Sequence, residues 1–393
     1  MRTRAEILTA VFLSSALLSG CGGAGSTVSS IISAITPNAA APTISTSTSN
    51  GAQGGAVIVS LASTTSGAAI YFTLDGSTPT TASQQYEAPF LVSSNLTVNA
   101  IATAANYNNS SVTSQVFAAN IPSGTLVWSD EFSNSGSTNA QPNPAIWTYD
   151  AGGGGWGNSE LEDYCAWGST VTPCSSASPN AYIAPGGSLN IVAQQTTTGG
   201  YAAGDFTSAR IKTQGLFTFQ YGRIEASISV PESQGMWPAF WLLGSNITTD
   251  PWPACGESDI MEHIDGNDTP FGGPGTGAAP GYDWAQASIH GTGLNGGQPF
   301  TEAGFSAATT HKYGMIWTKG QAQFYIDSPT GPGQPYENFQ KSTEAGTWPF
   351  DQGPMFIILN LAVGGSCPGN PSAASGSVFP SQMVVNYVRI YAE

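Results

Sequence analysis

The sequence predicts an all-β protein of two sandwiches in series, and three observations carry that prediction. Only 9% of its 393 residues are charged, too few to coat the wet faces of long helices, whereas Gly supplies 48 residues and Pro 26. Apolar and polar residues alternate over short runs bounded by turn formers, as in strands with one buried face. No ten-residue stretch carries the apolar period of an amphipathic helix. Acidic residues outnumber basic ones by 25 to 9, for a formal charge of −16. With no basic stripe to override that field, a nucleic-acid partner is disfavoured, and neutral or cationic ligands remain.

The N-terminus reads as an address. Arg2 and Arg4 precede an apolar run from Ile7 to Leu18 that is too short to hold a bilayer-spanning helix. The run ends in Leu18-Ser19-Gly20-Cys21, which resembles the bacterial lipoprotein signal. That resemblance implies removal of residues 1–20, lipidation of Cys21, and a place in the cell envelope, with membrane contact through the lipid alone. A plain secretory signal is the alternative. Residues 21–41 are small and polar, a flexible linker.

From 42 to 119, segments such as Val57–Leu61, Ile70–Leu74 and Leu96–Ile101 alternate as strands, with turns at Asp75-Gly76-Ser77 and Asn106-Tyr107-Asn108. Seven or so short strands in this length predict a small β-sandwich. The string from Tyr71 to Thr80, with Ala100-Ile101-Ala102 after it, resembles the Ig-like module at the C-terminus of chitobiases. Nothing here pairs carboxylates or gathers ligands, so the stretch reads as a spacer, with sugar binding as the alternative.

From 125 to 393 the strands Leu189–Ala193, Tyr221–Ile228, Gln323–Asp327 and Met383–Tyr391 alternate in the same way, which predicts a larger two-sheet sandwich. Four cysteines follow Cys21, and export permits disulfides. Of the three complete pairings, Cys165 with Cys174 is the expected bond because the two are close and flank a polar segment. No cysteine spacing suggests zinc.

The chemistry gathers in Glu257-Ser258-Asp259-Ile260-Met261-Glu262. On a strand Glu257 and Asp259 share a face, and Glu262 points the other way. It rejoins them if a β-bulge absorbs one residue after Asp259. Three carboxylates crowded on a half-buried strand raise at least one pKa, so that one acid holds a proton while another stays ionised. Cleavage of a glycosidic bond needs that pairing. A divalent-metal site is the competing reading.

This hexapeptide, preceded by Trp252-Pro253-Ala254-Cys255-Gly256, resembles the signature of glycoside hydrolase family 16 in its bulged, laminarinase-like form. Gly155-Trp156-Gly157-Asn158-Ser159-Glu160-Leu161, Ala209-Arg210-Ile211, Gly235-Met236-Trp237-Pro238-Ala239-Phe240-Trp241, Ile289-His290-Gly291 and Ile358-Leu359-Asn360-Leu361 extend the likeness over most of 125–393. The resemblance implies a concanavalin A-like β-jelly-roll with an open cleft. It also implies a retaining mechanism with Glu257 as nucleophile, Glu262 as general acid then base, and Asp259 hydrogen-bonded to Glu257. It makes Trp156, Trp237, Trp241 and Trp252 candidates for stacking on sugar faces, gives Asn158 and Arg210 hydrogen bonds to glucosyl units, and puts His290 near the leaving group. It further implies a structural calcium on the convex side at Glu131 and Asn386, weakened because Asn stands where relatives carry Asp and offers only a neutral oxygen. No cofactor is required for catalysis. The expectation is a monomeric endo-acting hydrolase of internal β-1,3 bonds in laminarin-like glucans. The alternatives are a mixed-linkage glucanase, a galactan (agar-type) hydrolase and a non-catalytic glucan-binding protein.

Overall fold

The computed structural model describes residues 36–264 and 284–393, so the signal, Cys21 and most of the linker lie outside the described residues. Among the described residues the chain forms 24 strands and no helix. Strands expected from alternation are present with small boundary changes, at Val57–Ala62, Ala69–Thr73, Leu96–Thr103, Leu189–Gln195, Gly222–Ser229, Gln321–Ile326 and Ser381–Tyr391.

Residues up to Phe117 form the smaller sandwich. One sheet joins Thr43–Ser47, Val57–Ala62 and Phe90–Val92, and the other joins Gln84–Gln85, Ala69–Thr73, Leu96–Thr103 and Thr113–Phe117. Val59, Phe72, Phe90, Val98 and Ala100 fill the space between them, and Phe72 stacks on Phe90 with ring centroids 5.0 Å apart. Ala39 belongs to the same core and its N–H donates to the carbonyl of Asn108, so the ordered chain starts before residue 42.

The larger sandwich has a ten-stranded and a seven-stranded sheet. The seven-stranded sheet runs Leu294–Thr301, Trp284–Gly291, Glu257–Glu262, Met236–Gly244, Met355–Val363, Arg210–Lys212 and Thr148–Tyr149. Its inner face packs Ile211, Phe240, Leu242, Ile260, Ile289 and Leu359 against Ile224, Ala226, Met315 and Val388 of the other sheet. All are nearly inaccessible, as a two-layer fold requires. Its outer face is thereby free to carry polar groups.

The two sandwiches share a core at their junction. Ala56, Ile58 and Leu91 of the small sandwich belong to the main hydrophobic core of the large one. Backbone bonds knit the two together: Gln53 N–H to Val127 O, Ser129 N–H to Gly51 O, Leu91 N–H to Thr218 O, and Thr218 N–H to Pro89 O. Trp128, fully buried, donates its indole N–H to Asn50 O and stacks on Phe217 at 4.5 Å. The sequence concealed this because residues buried between sandwiches look the same as residues buried within one.

Such a junction makes the two sandwiches one cooperative unit. Leu91→Ala is expected to cost about 2–5 kcal/mol and to lower a single calorimetric transition. Two transitions, with only the first displaced, would show that the sandwiches melt independently.

Candidate active site

The outer face of the seven-stranded sheet holds a cleft of roughly 670 Å³. Its floor is the Glu257–Glu262 strand. Gly256 leads into that strand at φ +85°, where a Cβ would meet the Pro349 ring at 2.6 Å, so glycine alone fits this entry. Glu257 pairs with Leu243 and His290, Asp259 with Trp241 and Ser288, and Glu262 with Ala239 and Gln286. Between Asp259 and Glu262 the register shifts against both neighbours. Ile260 and Met261 both turn inward and are 1% and 0% exposed. Two consecutive inward side chains are what a bulge produces. The second glutamate is thereby returned to the face of the first, and Glu257, Asp259 and Glu262 all line the cleft. Ser258 faces the core, its hydroxyl 3.2 Å from Met315 Sδ.

Each acid is held by donors from neighbouring strands. Ser288 Oγ lies 2.6 Å from Asp259 Oδ2 and 3.1 Å from Glu262 Oε2. Trp237 Nε1 donates to Glu262 Oε1 at 3.0 Å. His290 Nε2 lies 3.2 Å from Asp259 Oδ2 and 3.8 Å from Glu257 Oε1. Asp259 therefore bonds Ser288 and His290, and acts on Glu257 by charge rather than by the expected direct hydrogen bond. His290 is the cross-strand partner of Glu257, and its charge acts on Glu262 as well. The ligand atoms of Glu257, Asp259 and His290 lie within 4.8 Å of one another, but the imidazole nitrogen that would bind an ion is engaged with Asp259.

Burial, then the charge of Asp259, pushes the Glu257 carboxyl up to about 8 and Glu262 likewise to about 8, with His290 opposing both shifts. Burial pulls the His290 imidazolium down, but the hydrogen bond and charge of Asp259 outweigh it and carry the group up to about 9. At neutral pH His290 is a cation among three acids. A serine has one hydroxyl hydrogen, and its shorter contact gives that hydrogen to Asp259. The contact to Glu262 is then completed by a proton on Glu262; His290 lowers both glutamates, and the charge of Arg210, which further lowers Glu257, leaves Glu257 the one favoured as carboxylate.

The remaining expected residues divide into supports and open faces. Arg210 pairs with Asp150 at 2.9 Å and lies between Trp156 and Trp241, 5.4 Å and 4.7 Å from their ring centroids. One face of each indole is thus already covered. Trp241 is further fixed by Nε1 to Asn360 Oδ1 at 2.8 Å. Trp252, 56% exposed, offers the freest flat surface of the four. Asn158 lines the cleft and donates to Glu160 Oε1 at 3.0 Å. Ser288, Glu160 and Asn360 were not singled out from the sequence. Ser288 was legible, two residues before His290 on an alternating strand.

Cys165 and Cys174 form a disulfide, and the thiols of Cys255 and Cys367 are free, the latter lining the cleft. The calcium expectation does not fit its residues. Both oxygens of Glu131 accept from Arg389, at 2.9 and 2.8 Å, and Asn386 turns its amide N–H to Ser227 Oγ. A carboxylate neutralised on both oxygens has little left for a cation.

Residues 48–114 match the family model of the chitobiase/beta-hexosaminidase C-terminal domain, and residues 175–389 that of glycosyl hydrolases family 16. A beta-glucanase of Rhodothermus marinus is 35% identical over 269 residues, 68% of this chain and 84% of that protein. The laminarinase catalytic domain of Thermotoga maritima superposes with TM-score 0.54 at 33% identity, covering 68% of this chain and 98% of that one. The endo-beta-1,3-glucanase of Pyrococcus furiosus gives 0.54 at 34%, over 68% and 94%. With a bulged strand of three acids at the floor of its cleft, and with matches of this extent, the chain belongs to glycosyl hydrolase family 16.

Proposed function

We propose that the chain is an endo-acting β-glucan hydrolase that cuts internal β-1,3 bonds with retention of configuration, exported and anchored by lipid at Cys21. The observation that carries the reading is the bulge at Ile260 and Met261, which returns Glu262 to the cleft face of Glu257. Glu257, ionised beside the His290 cation, attacks the anomeric carbon. The glycosidic C–O bond breaks as Glu262 delivers its proton to the departing oxygen. Glu262, now a carboxylate, takes a proton from water, whose oxygen displaces Glu257 and frees the sugar. These steps balance with two carboxyl groups and water. Asp259 and Ser288 set the charge and proton distribution, and do not form bonds to substrate.

Substrate class rests on the cleft and on relatives. The cleft is open, and neutral surfaces such as Trp252 and Trp237 suit uncharged sugar rings. The relatives' names, beta-glucanase, laminarinase and endo-beta-1,3-glucanase, point to β-1,3-linked glucan. A silent glucan-binding protein would have no use for three crowded acids, whose repulsion costs stability. Envelope anchoring rests on Arg2, Arg4, the apolar run and Cys21, and labelling with a radioactive fatty acid tests it: Cys21→Ser should abolish incorporation.

Glu257→Gln and Glu262→Gln should each lower kcat on laminarin by about 10²–10⁴-fold or more, read as reducing-sugar release, with little change in thermal midpoint. Wild-type turnover on both variants would remove the pair as catalysts.

The charge on Asp259 holds Glu262 protonated to higher pH, and it acts on Glu262 more strongly than His290 does. Asp259→Asn should therefore lower the pKa of Glu262, so that the acid loses its proton sooner as pH rises. The alkaline limb of the kcat/KM profile should move to lower pH. A limb that stays in place or moves upward would break this assignment of the proton donor.

A further inference from the structure

We propose that Glu160 is a positioning residue of the cleft: an acceptor-only anchor that fixes which atom Asn158 turns toward substrate. The inference rests on the reading of the cleft as a glucan site. It starts from a chain of hydrogen bonds beneath the sugar-facing side chains. Trp241 Nε1 donates to Asn360 Oδ1 at 2.8 Å, and Asn360 Nδ2 donates to the Tyr164 phenol oxygen at 3.3 Å. Tyr164 in turn donates to Glu160 Oε2 at 3.2 Å, and Asn158 Nδ2 donates to Glu160 Oε1 at 3.0 Å. Trp241, Asn360, Asn158 and Glu160 line the cleft, whereas Tyr164 is completely buried.

The direction of every bond is set by its two ends. An indole nitrogen can only donate, and an ionised carboxylate can only accept. The amide of Asn360 and the phenol of Tyr164 can each work in either direction, but between those ends they have one arrangement. The same logic orients Asn158. Its N–H must face Glu160, so the atom left for substrate is the carbonyl oxygen, an acceptor for a sugar hydroxyl.

A second carboxyl, Glu162, is close by. Glu162 is 1% exposed, accepts the Val363 N–H through Oε2 at 2.8 Å, and has no hydrogen-bond partner at Oε1. Burial, then the charge of Glu160 and a side-chain hydrogen bond to it, pushes the Glu162 carboxyl well above the ordinary range. Glu160 meets two donors, Asn158 at Oε1 and Tyr164 at Oε2, and each needs an accepting oxygen there.

Glu160→Gln keeps the shape and breaks the polarity. The glutamine has one accepting oxygen, and Tyr164, whose hydroxyl already accepts from Asn360 Nδ2, retains its bond to residue 160 by placing its one hydrogen on that oxygen. The oxygen must therefore stay with Tyr164, and the glutamine N–H faces Asn158. The Asn158 amide flips and shows the cleft a donor instead of an acceptor. In the full chain, KM for laminarin should rise about 5- to 20-fold, with kcat within about threefold of wild type and an unchanged melting temperature. Calorimetric binding of a laminari-oligosaccharide to Glu257→Gln should weaken by the same factor when Glu160→Gln is added. The decisive variant is the double exchange Glu160→Gln with Asn158→Asp. Its glutamine N–H donates to the new carboxylate, which presents an accepting oxygen to the cleft again, so KM should return toward wild type. A single exchange with unchanged KM, or a double exchange no better than the single, would overturn the inference. Equal losses in kcat and melting temperature would also overturn it, by assigning Glu160 a structural role. Should Glu160→Gln fail to fold, Asn158→Asp alone carries the test: a second acceptor set against Glu160 should raise KM beyond the effect of Asn158→Ala, and equality of the two would refute the anchor. Failure of the wild-type chain to cleave any β-glucan would instead bring down the reading on which this one stands.

Discussion

One extra residue in one strand governs the cleft. The Glu257–Glu262 strand reads outward, inward, outward, inward, inward, outward, and the doubled inward step is Ile260 followed by Met261, both sealed in the core. Burial of two successive apolar side chains is favourable by roughly 1.5–3 kcal/mol each, and that drive holds the bulge in place. Without it Glu262 would point into the hydrophobic layer between the sheets, where an ionised carboxylate costs far more than the bulge does. The apolar core therefore determines where the acid stands, and chemistry follows from packing.

Crowding three acids in a half-buried cleft is the cost of that arrangement, and the protein offsets it with few cations. Of the seven Lys and Arg side chains among the described residues, Arg210 and Lys212 go to Asp150, Arg223 to Glu225 and Arg389 to Glu131. None pairs with the catalytic strand. Its counter-charge is His290, raised to about 9 by Asp259 despite its burial, with neutral donors from Ser288 and Trp237 completing the shell. A histidine suits this place better than a lysine. Its charge is generated by the acids it faces, so cation and anions stabilise one another and no permanent positive charge offsets the proton on Glu262. Glu160 and Glu162 solve the same problem differently, Glu162 with a carboxyl pushed above the ordinary range and Glu160 with a donor at each oxygen.

The sequence was legible where a one-dimensional pattern has a one-dimensional cause. Alternation predicted the long strands because the side-chain period of two is a local property. The acid cluster was visible as three carboxylates within six positions, whereas the bulge entered as a condition on Glu262 and through the family resemblance. Cys165 and Cys174 were paired from proximity along the chain. What stayed hidden depends on distant contacts. Thr148–Tyr149 and Gln84–Gln85 are two-residue strands with no pattern to read. Glu160, in a glycine-rich loop, looks like a solvated charge until Tyr164 and Asn158 are seen around it. Arg389 is 258 positions from Glu131, so their bidentate pair, which displaces the calcium expectation, is invisible to spacing.

The same distinction applies to the small sandwich, which composition portrays as a bead on a string. Its Gln84 donates to Ser245 and its Glu87 accepts from Thr248. Both partners belong to the loop that follows the Met236–Gly244 strand, and that loop goes on to present Ile247, Trp252 and Pro253 to the cleft before Gly256 opens the catalytic strand. Each bond alone is worth about 0.5–1.5 kcal/mol, too little to hold two sandwiches together; the buried contacts of Ile58, Leu91 and Trp128 do that. What the two bonds contribute is restraint. Ordering a free backbone costs about 1–2 kcal/mol per residue, and a loop already fixed at Ser245 and Thr248 has less of that cost left when a sugar chain settles against Trp252. The junction thus reaches the cleft through the loop that carries Ser245 and Thr248, by limiting its freedom.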